Sequence, residues 1–69
     1  RRGSDARLSP RERQLVSLVA QGLRNREIAA ELGITEGTVE DYLHGIFNKL
    51  GVANRTELAM RAGEAGLGG

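Results

Sequence analysis

Between Asn25 and Leu50 the chain carries two apolar stripes at helical spacing, divided by Gly33. Ile28, Ala29 and Leu32 make the first stripe. Val39, Leu43, Ile46, Phe47 and Leu50 recur at i, i+4, i+7, i+8 and i+11 and make the second. Gly33 breaks the periodicity and supplies the positive φ that a tight bend requires. Thr35 then offers a hydroxyl to cap a helix running from about Glu36 to Leu50. The short helix before the bend runs from Asn25, its expected cap, to about Leu32. Ala29 stands where the two helices approach closely, a place that suits a methyl group.

At 100° per residue, the face of the longer helix opposite its apolar stripe holds Gly37, Asp41, His44, Gly45 and Asn48. Thr38 and Glu40 lie on its flanks. No large apolar side chain falls there. A short helix, a glycine turn and a longer helix with one buried and one polar face form a helix-turn-helix, whose second helix enters the DNA major groove. Two glycines inside a helix each cost about 1 kcal/mol against alanine. Close approach of a partner to the backbone explains Gly37 and Gly45; drift on a tolerant surface explains them equally well.

The flanking segments supply the scaffold. Arg1 to Arg7 is apolar-poor and reads as the remnant of a linker. Leu8-Ser9-Pro10-Arg11-Glu12 is a dense helix start: Ser9 is the cap, Pro10 the first helical residue, and Glu12 completes a capping box. Leu8 and Arg13 occupy the staple positions, which an arginine fills only in part. This first helix runs to about Gln21 and buries Leu15, Val16, Leu18 and Val19, with Arg11 and Arg13 solvated. Gly22 ends it as a left-handed cap, and Leu23 packs back on the core. After Gly51, Asn54-Arg55-Thr56-Glu57 starts a fourth helix that continues to Gly63 or Ala65, with Leu58, Ala62 and Ala65 inward. Its outward face of Thr56, Ala59, Met60 and Gly63 suits contact with a second copy. Gly66 to Gly69 is expected to be a disordered tail. The domain therefore spans residues 8–65, an all-α, compact four-helix bundle around a central helix-turn-helix.

Sixty-nine residues allow one small domain of modest stability. With no cysteine and one histidine, neither disulfides nor a dedicated metal site is expected. No apolar run is long enough to span a membrane, no signal-peptide pattern is present, and a cytoplasmic location is expected. A net charge of +1 argues against avid, sequence-blind DNA binding by one copy. Without a thiol nucleophile, a metal cluster or a phosphate-cradling glycine loop, no catalytic residue and no cofactor is expected.

Leu8-Ser-Pro-Arg-Glu-Arg13, Gly22-Leu-Arg-Asn-Arg-Glu-Ile-Ala29, Gly37-Thr-Val39, Lys49-Leu-Gly-Val52 and Asn54-Arg-Thr-Glu-Leu58 together resemble the LuxR/NarL/FixJ type of DNA-binding domain. Five blocks in register over Leu8 to Ala62 make the resemblance specific. It implies the C-terminal output domain of a bacterial transcription regulator, often a two-component response regulator. It also implies a dimer on inverted-repeat DNA, joined through the fourth helix. RNA polymerase is a further candidate partner. Region 4 of a sigma factor uses a similar bundle, but the first and last blocks favour the regulator family.

The sequence departs from that pattern on the groove-facing strip. Glu40 stands where the family usually has lysine, and Asp41 where it often has a small or apolar residue. Local helix energetics do not explain them, since Glu36 and Glu40 are like charges at i, i+4. A carboxylate can accept from a cytosine amino group, so Glu40, Asp41, His44 and Asn48 are the expected base-contacting residues. Arg24, Arg26, Thr35, Thr38, Tyr42, Lys49 and Arg55 are the expected phosphate contacts. For Lys49, support of the fold is the other reading. Protonation of an imidazole, ordinarily near pH ~6.5, would add a cation at His44 and raise DNA affinity below neutrality. The alternative function is a helix-turn-helix turned to protein interaction, with DNA binding weak or lost.

Overall fold

Local capping accounts for where the helices begin, and glycine for where the first three stop. The computed structural model describes residues 8–65, and side chains as far as 62; the expectations for residues 1–7 and 66–69, and for the side-chain positions of Gly63 and Ala65, lie outside the described residues. Its elements are α1 (Pro10–Ala20), α2 (Asn25–Leu32), α3 (Glu36–Leu50) and α4 (Arg55–Ala65). Among the described residues every regular element is helical, and α2, the turn and α3 form the expected helix-turn-helix.

At α1 the capping box closes in both directions. The Glu12 N–H donates to Ser9 Oγ at 3.1 Å, and the Ser9 N–H donates to Glu12 Oε1 at 2.8 Å. Gly22, Gly33 and Gly51 stand at φ 91°, 70° and 67°, just beyond α1, α2 and α3. In each case the next residue folds back on a carbonyl five positions earlier: Leu23 on Leu18, Ile34 on Ala29, and Val52 on Phe47. This is the backbone bond of a left-handed helix stop, and a β-carbon would strain it.

Asn25 is not the cap of α2. The extended residue before the helix is Arg24, whose N–H donates to Glu27 Oε1 at 2.8 Å. With Glu27 satisfying that donor, Asn25 is released to the first helical position. At α4 the expected cap holds: the Glu57 N–H donates to Asn54 Oδ1 at 2.9 Å. Glu57 reaches past Asn54 to accept from the Ala53 N–H.

The core is drawn from all four helices. Leu15, Val16, Ile28, Val39, Ile46 and Leu58 are fully buried. Leu18 and Phe47, expected inside, are only partly covered and pack against the edge of the core. The most extensive contacts pair α1 with α4 and α2 with α3, while α1 also packs on α3. The molecule is thus a helix-turn-helix lying on a two-helix scaffold.

Four scaffold side chains reach across to that unit. Arg11 donates to the Leu32 carbonyl at 3.3 Å, so it is not the purely solvated arginine expected from sequence. Glu12 binds Lys49. Arg55 donates to Asn25 Oδ1 at 2.6 Å and to the Leu23 carbonyl. Arg61 donates to the Leu50 carbonyl at 3.1 Å. Two of these arginines meet the last carbonyls of α2 and α3, which have no helical partner of their own.

Candidate nucleic-acid interface

Burial on one side of α3 fixes what the other side presents. Val39, Leu43, Ile46 and Leu50 are buried, and Glu36, Gly37, Glu40, Asp41, His44 and Asn48 are exposed. From Gly37 to Asn48 the strip extends roughly 16 Å at the helical rise. No described segment covers it. The Thr35 hydroxyl accepts from the Thr38 N–H at 3.1 Å and lies 2.9 Å from Thr38 Oγ1, so both hydroxyls sit at the start of the strip.

The interior does not require either glycine of α3. A β-carbon added at Gly45 would meet nothing within 4 Å, and one at Gly37 only Thr35 Oγ1 at 3.8 Å. Their effect is to lower the strip. Tyr42 is half-buried and, with Glu12, Thr38, Asp41 and Gly45, lines a shallow groove beside it. On the other flank Glu40 and His44 face Asn25, Asn54 and Arg55 across a second hollow.

The cations expected at phosphates divide into two groups. Arg24 and Arg26 are exposed at the amino-terminal end of α2, where the helix dipole also favours an anion. Lys49 and Arg55 are engaged internally. Lys49 Nζ lies 2.8 and 2.9 Å from the two Glu12 carboxylate oxygens, and Arg55 holds Asn25 and Leu23.

Glu12 is the buried charge among the described residues, 7% exposed. Burial pushes its carboxyl up, but hydrogen bonds from Lys49 and Ser9 together with the Lys49 charge outweigh this and hold it below the usual carboxylate range. Sequence reasoning gave Glu12 a capping role and missed this second one. Nothing local signals it, because the partners stand 37 positions apart.

On α4, Thr56 and Met60 are exposed, Met60 at 60%. Ala59, expected on the same outward face, is partly buried against the core. Among the described residues no group of three or more side chains is arranged to hold a metal ion. No helix among them is long and apolar enough to cross a membrane.

Residues 6–62 match the model of a family described as bacterial regulatory proteins, luxR family. The chain is 46% identical over 54 residues to a probable HTH-type transcriptional regulator, GfsR, of Streptomyces halstedii, covering 78% of this chain and 22% of the relative. It is 43% identical over 61 residues to the two-component response regulator PprB of Pseudomonas aeruginosa, covering 88% of this chain and 22% of that protein. With the transcriptional regulatory protein DesR of Bacillus subtilis the identity is 46% over 59 residues, covering 86% and 30%. The chain thus spans between about a fifth and a third of these relatives.

Proposed function

The chain belongs to the luxR family of bacterial regulatory proteins, and from that membership we propose that it binds duplex DNA sequence-specifically, with α3 in the major groove. LuxR-type helix-turn-helix domains bind DNA. The observation that carries the reading to this chain is the uncovered strip of α3, polar along its length and backed by the buried side chains of Val39, Leu43, Ile46 and Leu50. The major groove admits a helix presented in this way.

In this reading Glu40, Asp41, His44 and Asn48 contact bases, the carboxylates accepting from cytosine amino groups. Arg24, Arg26, Thr35, Thr38 and Tyr42 hold phosphates. For Lys49 and Arg55 a phosphate competes with their contacts to Glu12 and Asn25. Two copies bind an inverted repeat, joined through the α4 face around Thr56 and Met60. The domain is the output module of a longer cytoplasmic regulator, of the response-regulator kind that one relative's name describes. It acts on transcription through the promoter, with RNA polymerase as a neighbouring partner.

A second reading, a protein-interaction module, is favoured by one observation. Glu36, Glu40 and Asp41 stand exposed on the strip with no ion pair among the described residues. Selection of binding sites from random duplexes, at low and moderate salt, separates the two. DNA recognition predicts an enriched motif whose preference shifts in Asp41→Ala. Absence of binding even at low salt and high concentration leaves the protein-interaction reading.

A further inference from the structure

Lys49 is the lone lysine of the chain, and it stands in the last turn of the helix assigned to the groove. A cation there invites assignment to a phosphate. Its surroundings indicate a different role. Both Glu12 carboxylate oxygens lie within 2.9 Å of Nζ, and Glu12 Oε1 also accepts from the Ser9 N–H. Ser9 and Glu12 are the capping box that fixes the first turn of α1. The ammonium is therefore joined to the capping box of the scaffold.

Side-chain packing restricts the crossing angle of two helices to a range, and a charge pair between a point on each helix adds an attraction that narrows the range further. α1 meets α3 less extensively than α2 does, so the Glu12–Lys49 pair is a polar tie at a fixed point between the scaffold and α3. On the same side, Tyr42, Asp41 and Gly45 border the groove into which Glu12 faces. A change in the tilt of α3 would displace the exposed strip relative to Arg24 and Arg26 on α2.

We propose that Glu12 and Lys49 are positioning residues for DNA recognition: the pair sets the attitude of α3 on the scaffold, and Lys49 contributes to binding through Glu12 instead of through a phosphate. The proposal rests on the DNA-binding reading above, and its test separates the two.

The variants are Glu12→Gln, which keeps a capping side chain but removes the charge, Lys49→Met, and Lys49→Arg. Binding to a selected duplex is measured as a function of salt, well below each variant's unfolding temperature. Positioning predicts that Glu12→Gln and Lys49→Met each weaken binding by about three- to thirtyfold. The double variant is no weaker than the worse single one. The salt slope stays at the wild-type value, and Lys49→Arg recovers most of the affinity. A phosphate contact predicts the reverse: Lys49→Met lowers the slope by about 0.9, while Glu12→Gln removes one competitor for the ammonium and leaves binding unchanged or tighter. Either of those results overturns the proposal.

A DNA-free arm uses residual dipolar couplings of the unbound protein. Glu12→Gln is expected to change the angle between α3 and α1. An unchanged angle overturns the positioning role whether or not DNA binds. Failure of the wild type to bind any duplex at low salt overturns the DNA-binding reading, and with it the DNA role proposed for the pair.

Discussion

A single buried carboxylate shows how one residue serves two levels of this structure. Glu12 satisfies a backbone donor at the start of α1 and holds the ammonium of α3. Its folded pKa lies below the ordinary glutamate value of 4.5. A depressed carboxylate contributes stability that is complete above the unfolded pKa and lost as pH falls through the folded one. Wild type is therefore expected to exceed Glu12→Gln in stability at pH 7. The gap should narrow as pH drops below about 4.5 and close at lower pH. Urea unfolding of both proteins from pH 7 to 2.5 checks this; a gap that persists at the acid end would assign the effect to packing. Half of this arrangement is legible in the sequence. The Ser9–Glu12 box is local and announces itself in four consecutive residues, whereas the Lys49 end depends on a helix arrangement that no short pattern encodes. Asn25 shows the converse: its type suggests a cap, but Glu27 already accepts from the Arg24 N–H and Arg55 takes the Asn25 oxygen.

Among the helices, α3 departs most from what a stable helix favours. Gly37 and Gly45 weaken it, and neither position is crowded by the rest of the chain. Gly45→Ala is expected to stabilise the domain by about 1 kcal/mol. If a nucleic-acid backbone or base edge approaches that position, the same substitution weakens DNA binding. A shift to higher melting temperature accompanied by lost affinity is the expected pair of results from calorimetry and fluorescence titration. A gain in stability with unchanged affinity would mean that Gly45 lies away from the partner. The ends of α1, α2 and α3 could be read from sequence because glycines and caps act within one turn. Leu18, Phe47 and Ala59 differ from the expected burial because a period of 3.6 gives a direction around the axis but not how far a neighbouring helix extends over it. Leu18 and Phe47 lie at the edge of that cover, and Ala59 is turned partly beneath it.

For the whole molecule, charge frames the mechanism. Arg24 and Arg26 flank the helix-turn-helix, three carboxylates occupy the strip, and four other basic residues hold contacts within the fold. Among the described residues one copy thus has a narrow cationic rim for a polyanion, and two copies on one duplex supply two. Met60 is the large apolar side chain left exposed among the described residues. Met60→Asp is expected to weaken binding to a duplex with two half-sites while leaving binding to a single half-site unchanged, as loss of a joint between copies requires. Equal effects on both duplexes would remove α4 from the dimer. That the chain forms a helix-turn-helix bundle was evident from five short sequence blocks and two apolar periods. How the scaffold holds α3 was not, since its ties join residues between 11 and 37 positions apart. Nuclear magnetic resonance mapping of the labelled domain, titrated with a selected duplex at low salt, tests the main assignment most directly. The amides of Glu40, Asp41, His44 and Asn48 should shift together with those of Arg24 and Thr35, while the outer surface of α1 stays unchanged. Binding that leaves the α3 strip unperturbed, or no binding at all, would contradict it.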